Sequence, residues 1–222
     1  MNRRRRMQAS WWWGVLLALV GASVGRADDS PPAAPSPPSA LAGEAATNAA
    51  IRELGRKATV GTVGIYCRKD DYASYFGTGA VITPDGHVLT STTVVPAGAE
   101  KIEVVFEDFV VRAGTIVESN DALETTLLKV DATNLPCLPL AKDLPAVGSR
   151  AFTTSNANNV LRLSGRASFS MGHVSGIYEV KNQGGESLYS GMAIETSAAV
   201  NPGADGGPIL NDLGQLCGII SL

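Results

Sequence analysis

The residues best suited to chemistry stand in Asn201-Pro202-Gly203-Ala204-Asp205-Gly206-Gly207-Pro208, where three glycines crowd around one carboxylate. Backbone N–H groups in such a segment form a nest that binds anions, which makes the loop a candidate anion or oxyanion site. Glu124 is the second acid of interest, because two carboxylates of unequal pKa can pass protons through a bound water. The chain supplies no electrophile or metal to complete such a pair. His87 follows the turn Pro84-Asp85-Gly86 and so opens a strand, a position that favours an exposed side chain. His173 falls inside the apolar run Met171–Tyr178, which favours a satisfied structural histidine. Cys67, Cys137 and Cys217 show no Cys-x-x-Cys spacing and read as small buried apolar residues, with one disulfide plus a free thiol as the alternative in an oxidising compartment. No metal or other cofactor is expected, and no glycine-rich loop opens a helix that would hold a phosphate.

The elements that must position these residues are short. From Thr59 onward, runs of β-branched and aliphatic residues recur at 62–65, 78–82, 88–91, 102–106, 110–117, 127–130, 151–154, 171–178, 188–196 and 216–220, separated by Gly, Asn and Pro. That rhythm predicts an all-β sandwich or barrel. A short entry helix is expected over 47–57, with Ile51 and Leu54 on one face and Asn48 as a cap. Residues 28–50, rich in Pro, Ala and Ser, read as a linker.

The N-terminus has the layout of a signal peptide: basic Arg3 to Arg6, apolar Trp11 to Val20, and Gly25-Arg26-Ala27 at the end. Cleavage is expected after Ala27, which sends the protein to the periplasm or outside the cell and leaves no membrane anchor. The remaining residues carry 13 basic and 21 acidic side chains, a net charge of −8. Such a surface excludes nucleic acid as a partner, since phosphate recognition needs clustered Lys and Arg.

Three segments stand in order: Gly77-Thr78-Gly79-Ala80-Val81-Ile82 with Leu89 to Val95, then Asp121 to Val130, then Asn201 to Leu210. Together they resemble the HtrA/Deg branch of the trypsin-like (chymotrypsin-fold) serine proteases. The resemblance runs from about residue 60 onward and implies two antiparallel six-stranded-type β-barrels within a domain over 51–222, the first about 60–140 and the second about 147–222. Where that family has its catalytic His before two valines, this chain has Thr93. Where it has Asp ahead of the Leu-Leu-Lys strand, this chain has Glu124. Where it has the nucleophilic Ser, this chain has Asp205. The order of the three positions matches the His, Asp, Ser order of the chymotrypsin type.

The resemblance implies a serine endopeptidase scaffold, while the three substitutions imply a catalytically inactive homologue that binds peptides or unfolded protein segments. An active HtrA/Deg-type endopeptidase serving protein quality control is the alternative. Gly203, Asp205 and Gly206 form the former oxyanion loop, and the Asp205 carboxylate is expected to turn back onto the amides near Gly203 and Asp205. Members of the family continue beyond the Gly218-Ile219-Ile220 strand. The second barrel is therefore expected to keep an open edge through which two copies could associate.

Overall fold

The computed structural model describes residues 39–69, 74–181 and 189–221. The segment read as a signal peptide lies outside them. A helix, α1, spans Ser39–Val60. It starts directly after Pro38 and runs through Ala, Leu and Glu, strong helix formers that the linker reading of 28–50 undervalued. The expected helix over 47–57 is thus the second half of a longer one. Its Ile51, Leu54 and Ala58, spaced three and four apart, lie on a core shared with Phe152, Leu210 and Leu216.

Six strands follow: β1 (Thr62–Arg68), β2 (Ser74–Val81), β3 (His87–Ser91), β4 (Glu100–Val105), β5 (Val111–Asn120) and β6 (Thr125–Val130). They close in the order β1-β2-β3-β6-β5-β4, and every pairing is antiparallel. Alternation fills the interior. In β6, Thr126, Leu128 and Val130 point inward while the residues between them are half-buried. Val63, Ile65, Val81, Val88, Val104, Leu128 and Val130 form the core of this barrel.

The second sheet comprises β7 (Arg150–Ser155), β8 (Ser168–Val180), β9 (Gly191–Thr196), β10 (Pro208–Leu210) and β11 (Leu216–Ile219), in the order β11-β10-β7-β8-β9. It curls into a nearly closed five-stranded barrel, in keeping with the all-β expectation. Strand β7 is buried from Ala151 to Ser155, because both of its faces are covered. Sequence rhythm missed β10, whose three residues directly follow the Gly-Gly pair, and α2 (Val160–Ser164), a single turn after β7.

The cysteines are all free thiols, Cys67 buried and the other two half-buried. Burial pushes the Cys217 thiol up to about 11, and its Sγ donates to the Ile209 carbonyl. It is a protonated, packed group at neutral pH.

Candidate functional site

The glycine-rich loop is clamped by its backbone. Thr78 N–H donates to the Asp205 carbonyl at 2.8 Å, and the Thr78 hydroxyl donates to the Gly203 carbonyl at 2.6 Å. Gly206 N–H donates to Ile220 O at 2.8 Å, and Ile220 N–H returns to Gly207 O at 2.7 Å. Ala204 is fully buried at the centre. The loop therefore leans on β2 from one side and on the end of β11 from the other.

Two of its glycines are sterically required. A Cβ on Gly206, at φ +78°, would stand 2.3 Å from both Thr78 O and Thr90 Oγ1. One on Gly203, at φ +93°, would stand 2.7 Å from Asn156 O and 2.8 Å from the Phe76 ring.

Strand β3 ends at Ser91, and Thr93 follows in the turn after it. Thr93 N–H donates to Ser91 Oγ at 3.0 Å, and the two hydroxyls bond to each other. The Thr93 hydroxyl donates to Asp205 Oδ2, with Ser91 Oγ 3.5 Å from the same oxygen. Positions 93 and 205, 112 residues apart, thus meet across the barrels. Charge-assisted bonds to a carboxylate are stronger than neutral ones, which explains why the carboxylate turns toward β3. Oδ2 thus takes side-chain hydroxyls from the end of β3, and the Gly206 amide is committed to Ile220.

Glu124 closes the turn before β6 with φ +50°, a left-handed conformation that costs a non-glycine residue roughly 1–2 kcal/mol. That geometry aims its carbonyl at Thr92 N–H, 3.0 Å away, next to Thr93. Its Oε2 accepts from Ser221 Oγ at 3.0 Å. Tyr189 lies close by. Burial, and then the Glu124 charge, hold the Tyr189 phenol above its ordinary value. Ser190 N–H donates to Ala122 O at 2.7 Å, fastening the second barrel to this turn.

Sequence reading passed over Ser91, Ser221 and Asn156. Ser91 had a signal, since a residue two places before Thr93 can bond to it from a strand end. Ser221 and Asn156 had none, because only the fold brings them to Glu124 and to the loop.

The two histidines stand elsewhere. His87 is half-buried, not exposed as expected, because its Nδ1 lies 2.9 Å from Thr83 Oγ1 and 3.2 Å from Asp85 Oδ1. The Thr83 hydroxyl, and then His87, hold the Asp85 carboxyl below the usual range. His173 is exposed on β8, opposite Arg150, with its main chain tied to Ser197. Among the described residues, no three His, Cys, Asp or Glu side chains are gathered to hold a metal.

The arrangement offers a carboxylate that accepts from two hydroxyls, framed by a rigid loop of close-packed backbone.

The family model for the trypsin-like peptidase domain matches residues 77–219. The serine endoprotease DegS of Haemophilus influenzae is 30% identical over 147 residues, covering 66% of this chain and 41% of that protein. A DegP-like periplasmic serine endoprotease of Pseudomonas putida is 32% identical over 150 residues, covering 67% of this chain and 29% of the relative. The chain therefore spans less than half the length of either. Among solved structures, the HtrA-type protease AlgW with a tripeptide superposes with a TM-score of 0.65 at 28% identity, over 76% of this chain and 52% of that one. The matched segment contains the loop, β3 and the Glu124 turn in the order and spatial relation described above, and the chain belongs to the trypsin-like peptidase domain family, in its HtrA-type branch.

Proposed function

We propose that this chain is a catalytically silent HtrA-type protease homologue, exported to the periplasm or beyond the cell, that holds peptide or unfolded-protein segments along the cleft between its barrels. The bond from the Thr93 hydroxyl to the Asp205 carboxylate carries this reading. Acyl transfer by this fold needs a hydroxyl nucleophile, a base to take its proton, and donors facing the developing oxyanion. Thr93 cannot accept that proton at neutral pH. Asp205 adds a negative charge beside the place where the oxyanion would form. Like charges at ~4 Å with an effective dielectric near 20 repel by ~4 kcal/mol, which is about a thousandfold in rate.

What favours a binding role is the intact frame. The loop keeps its glycines and its clamps, while the atoms that would react are replaced. The tripeptide on AlgW and the periplasmic description of the Pseudomonas relative support the ligand class and the compartment.

The test is a fluorophosphonate probe on the wild type beside a Thr93→His, Asp205→Ser double variant. Wild-type protein should stay unlabelled and leave casein intact, and the double variant should label. Labelling of the wild type would overturn the reading in favour of an active endoprotease.

Self-association is part of the proposal. Strands β9 and β11 end the second sheet, and the β11 end already bonds to the 139–141 segment through Leu216. The β9 edge is therefore the better template for a second copy. Light scattering should show a concentration-dependent dimer, and a monomer at every concentration tested removes this part.

A further inference from the structure

Away from the loop, α1 and the start of β8 border an open, shallow groove of about 400 Å³ whose lining includes Ile51, Arg52, Gly55, Arg56, Arg166 and Phe169, together with Glu107. Sites that hold small ligands start at roughly 300 Å³. The floor is apolar and fixed: the Phe169 ring stacks on Phe152 with centroids 5.6 Å apart and lies against Gly55, where a Cβ would stand 3.4 Å from it.

The rim is basic. Arg52 and Arg56, four residues apart on α1, share a helix face about 6 Å apart along the axis. Arg166 comes from the opposite wall, directly after Gly165, whose carbonyl accepts Asp108 N–H at 2.9 Å and whose amide is bonded to Leu161 O. Three of the seven arginines that follow Arg26 thus converge on one groove of a chain whose net charge is −3. Arg56 is bonded to Glu53 through Nε and Nη2. Among the described residues, Arg52 and Arg166 make no ion pair. Glu107 is the single acid of the lining.

We propose that this groove binds a small amphipathic carboxylate, with its apolar body on Phe169 and Ile51 and its carboxylate between the guanidiniums of Arg52 and Arg166. A planar guanidinium pairs with a carboxylate through two parallel hydrogen bonds. The apolar floor rejects a bare inorganic anion as the preferred ligand, and the excess of positive charge rejects a cation or an uncharged alkyl chain. The site is separate from the Asp205 loop and stands or falls independently of the proposed silence of that loop.

The test is isothermal titration of the full chain with octanoate, with acetate and inorganic phosphate as comparison probes. Octanoate should bind at least tenfold more tightly than either. An Arg52→Gln, Arg166→Gln double variant should lose about tenfold or more of that affinity, since hydrogen bonds to charged groups are worth ~1.5–3 kcal/mol. Both side chains are exposed, so the circular dichroism spectrum should be unchanged. Ala167→Leu, which fills the margin of the floor, should weaken octanoate without changing the charge. A leucine-ending hexapeptide with a free C-terminus, run against its amidated form, distinguishes the source: competition with octanoate by the free form alone makes a chain terminus the ligand, and no competition makes it a free acid. Equal affinity for acetate and octanoate, no heat with octanoate, or full binding by the arginine variant overturns the proposal.

Discussion

Gly206→Ala should destabilise the protein by about 2–5 kcal/mol, a large fraction of the stability of a domain of this size. Two effects add. The residue sits at φ +78°, where an L side chain costs roughly 1–2 kcal/mol. The new methyl would also stand 2.3 Å from the Thr78 carbonyl oxygen and from Thr90 Oγ1, both on buried residues of the first barrel. Neither atom can retreat easily. The Thr90 hydroxyl already donates to Thr78 O at 2.7 Å, and moving it leaves buried polar atoms unmatched. Overpacking of this kind costs a further ~1–3 kcal/mol.

The comparison that isolates the clash is Gly98→Ala. Gly98 has nearly the same φ, +79°, with no atom within 4 Å of its Cβ position. Urea unfolding should show Gly98→Ala losing about 1 kcal/mol and Gly206→Ala several times that. Equal losses would mean that the loop does not press on the first barrel as described.

This difference between two glycines marks where sequence stops being informative. The barrel strands were legible because alternation is a local property, as in Thr126, Leu128 and Val130 of β6. The meeting of Thr93 with Asp205 was legible only through the resemblance, since no periodicity links positions 112 residues apart. The direction of the Asp205 carboxylate was not legible at all. It depends on two hydroxyls at and just beyond the end of β3, and only the fold aims them at position 205. The early start of α1 was misread because alanines suit a linker and a helix equally; residues 43–50 are exposed and extend, by helix propensity, the part that Ile51, Leu54 and Ala58 anchor on the core with Phe152. The arginine groove combines both problems. Arg52 and Arg56 are visibly one face of a helix, but only the fold brings Arg166 opposite them.

Asn156→Ala should cost about 2–4 kcal/mol and loosen the cleft, because this one buried side chain bonds to elements of both barrels. Asn156 is fully buried directly after β7. Its Nδ2 donates to the Tyr66 phenol of β1 at 2.9 Å and to the Gly77 carbonyl of β2 at 3.2 Å. Its Oδ1 accepts Leu161 N–H from α2 at 3.0 Å, and its own N–H reaches the Thr78 hydroxyl at 2.9 Å. The side chain therefore spans both barrels, and its carbonyl also borders Gly203 of the loop. Asn156→Asp is the sharper probe. It keeps the shape and replaces two donors by acceptors that face the Gly77 carbonyl, so the ionised form is disfavoured by burial and by that oxygen. Its carboxyl pKa in the folded state is then raised above the unfolded value. A raised carboxyl pKa means stability that is present below the unfolded value of ~3.9 and is lost as pH rises through the folded one. Measured against wild type at each pH, the Asp variant should come closest in acid and fall furthest behind at neutral pH, while the Ala variant shows a flat deficit. A flat deficit in both would mean that the amide hydrogens of Asn156 do not carry the coupling between the barrels.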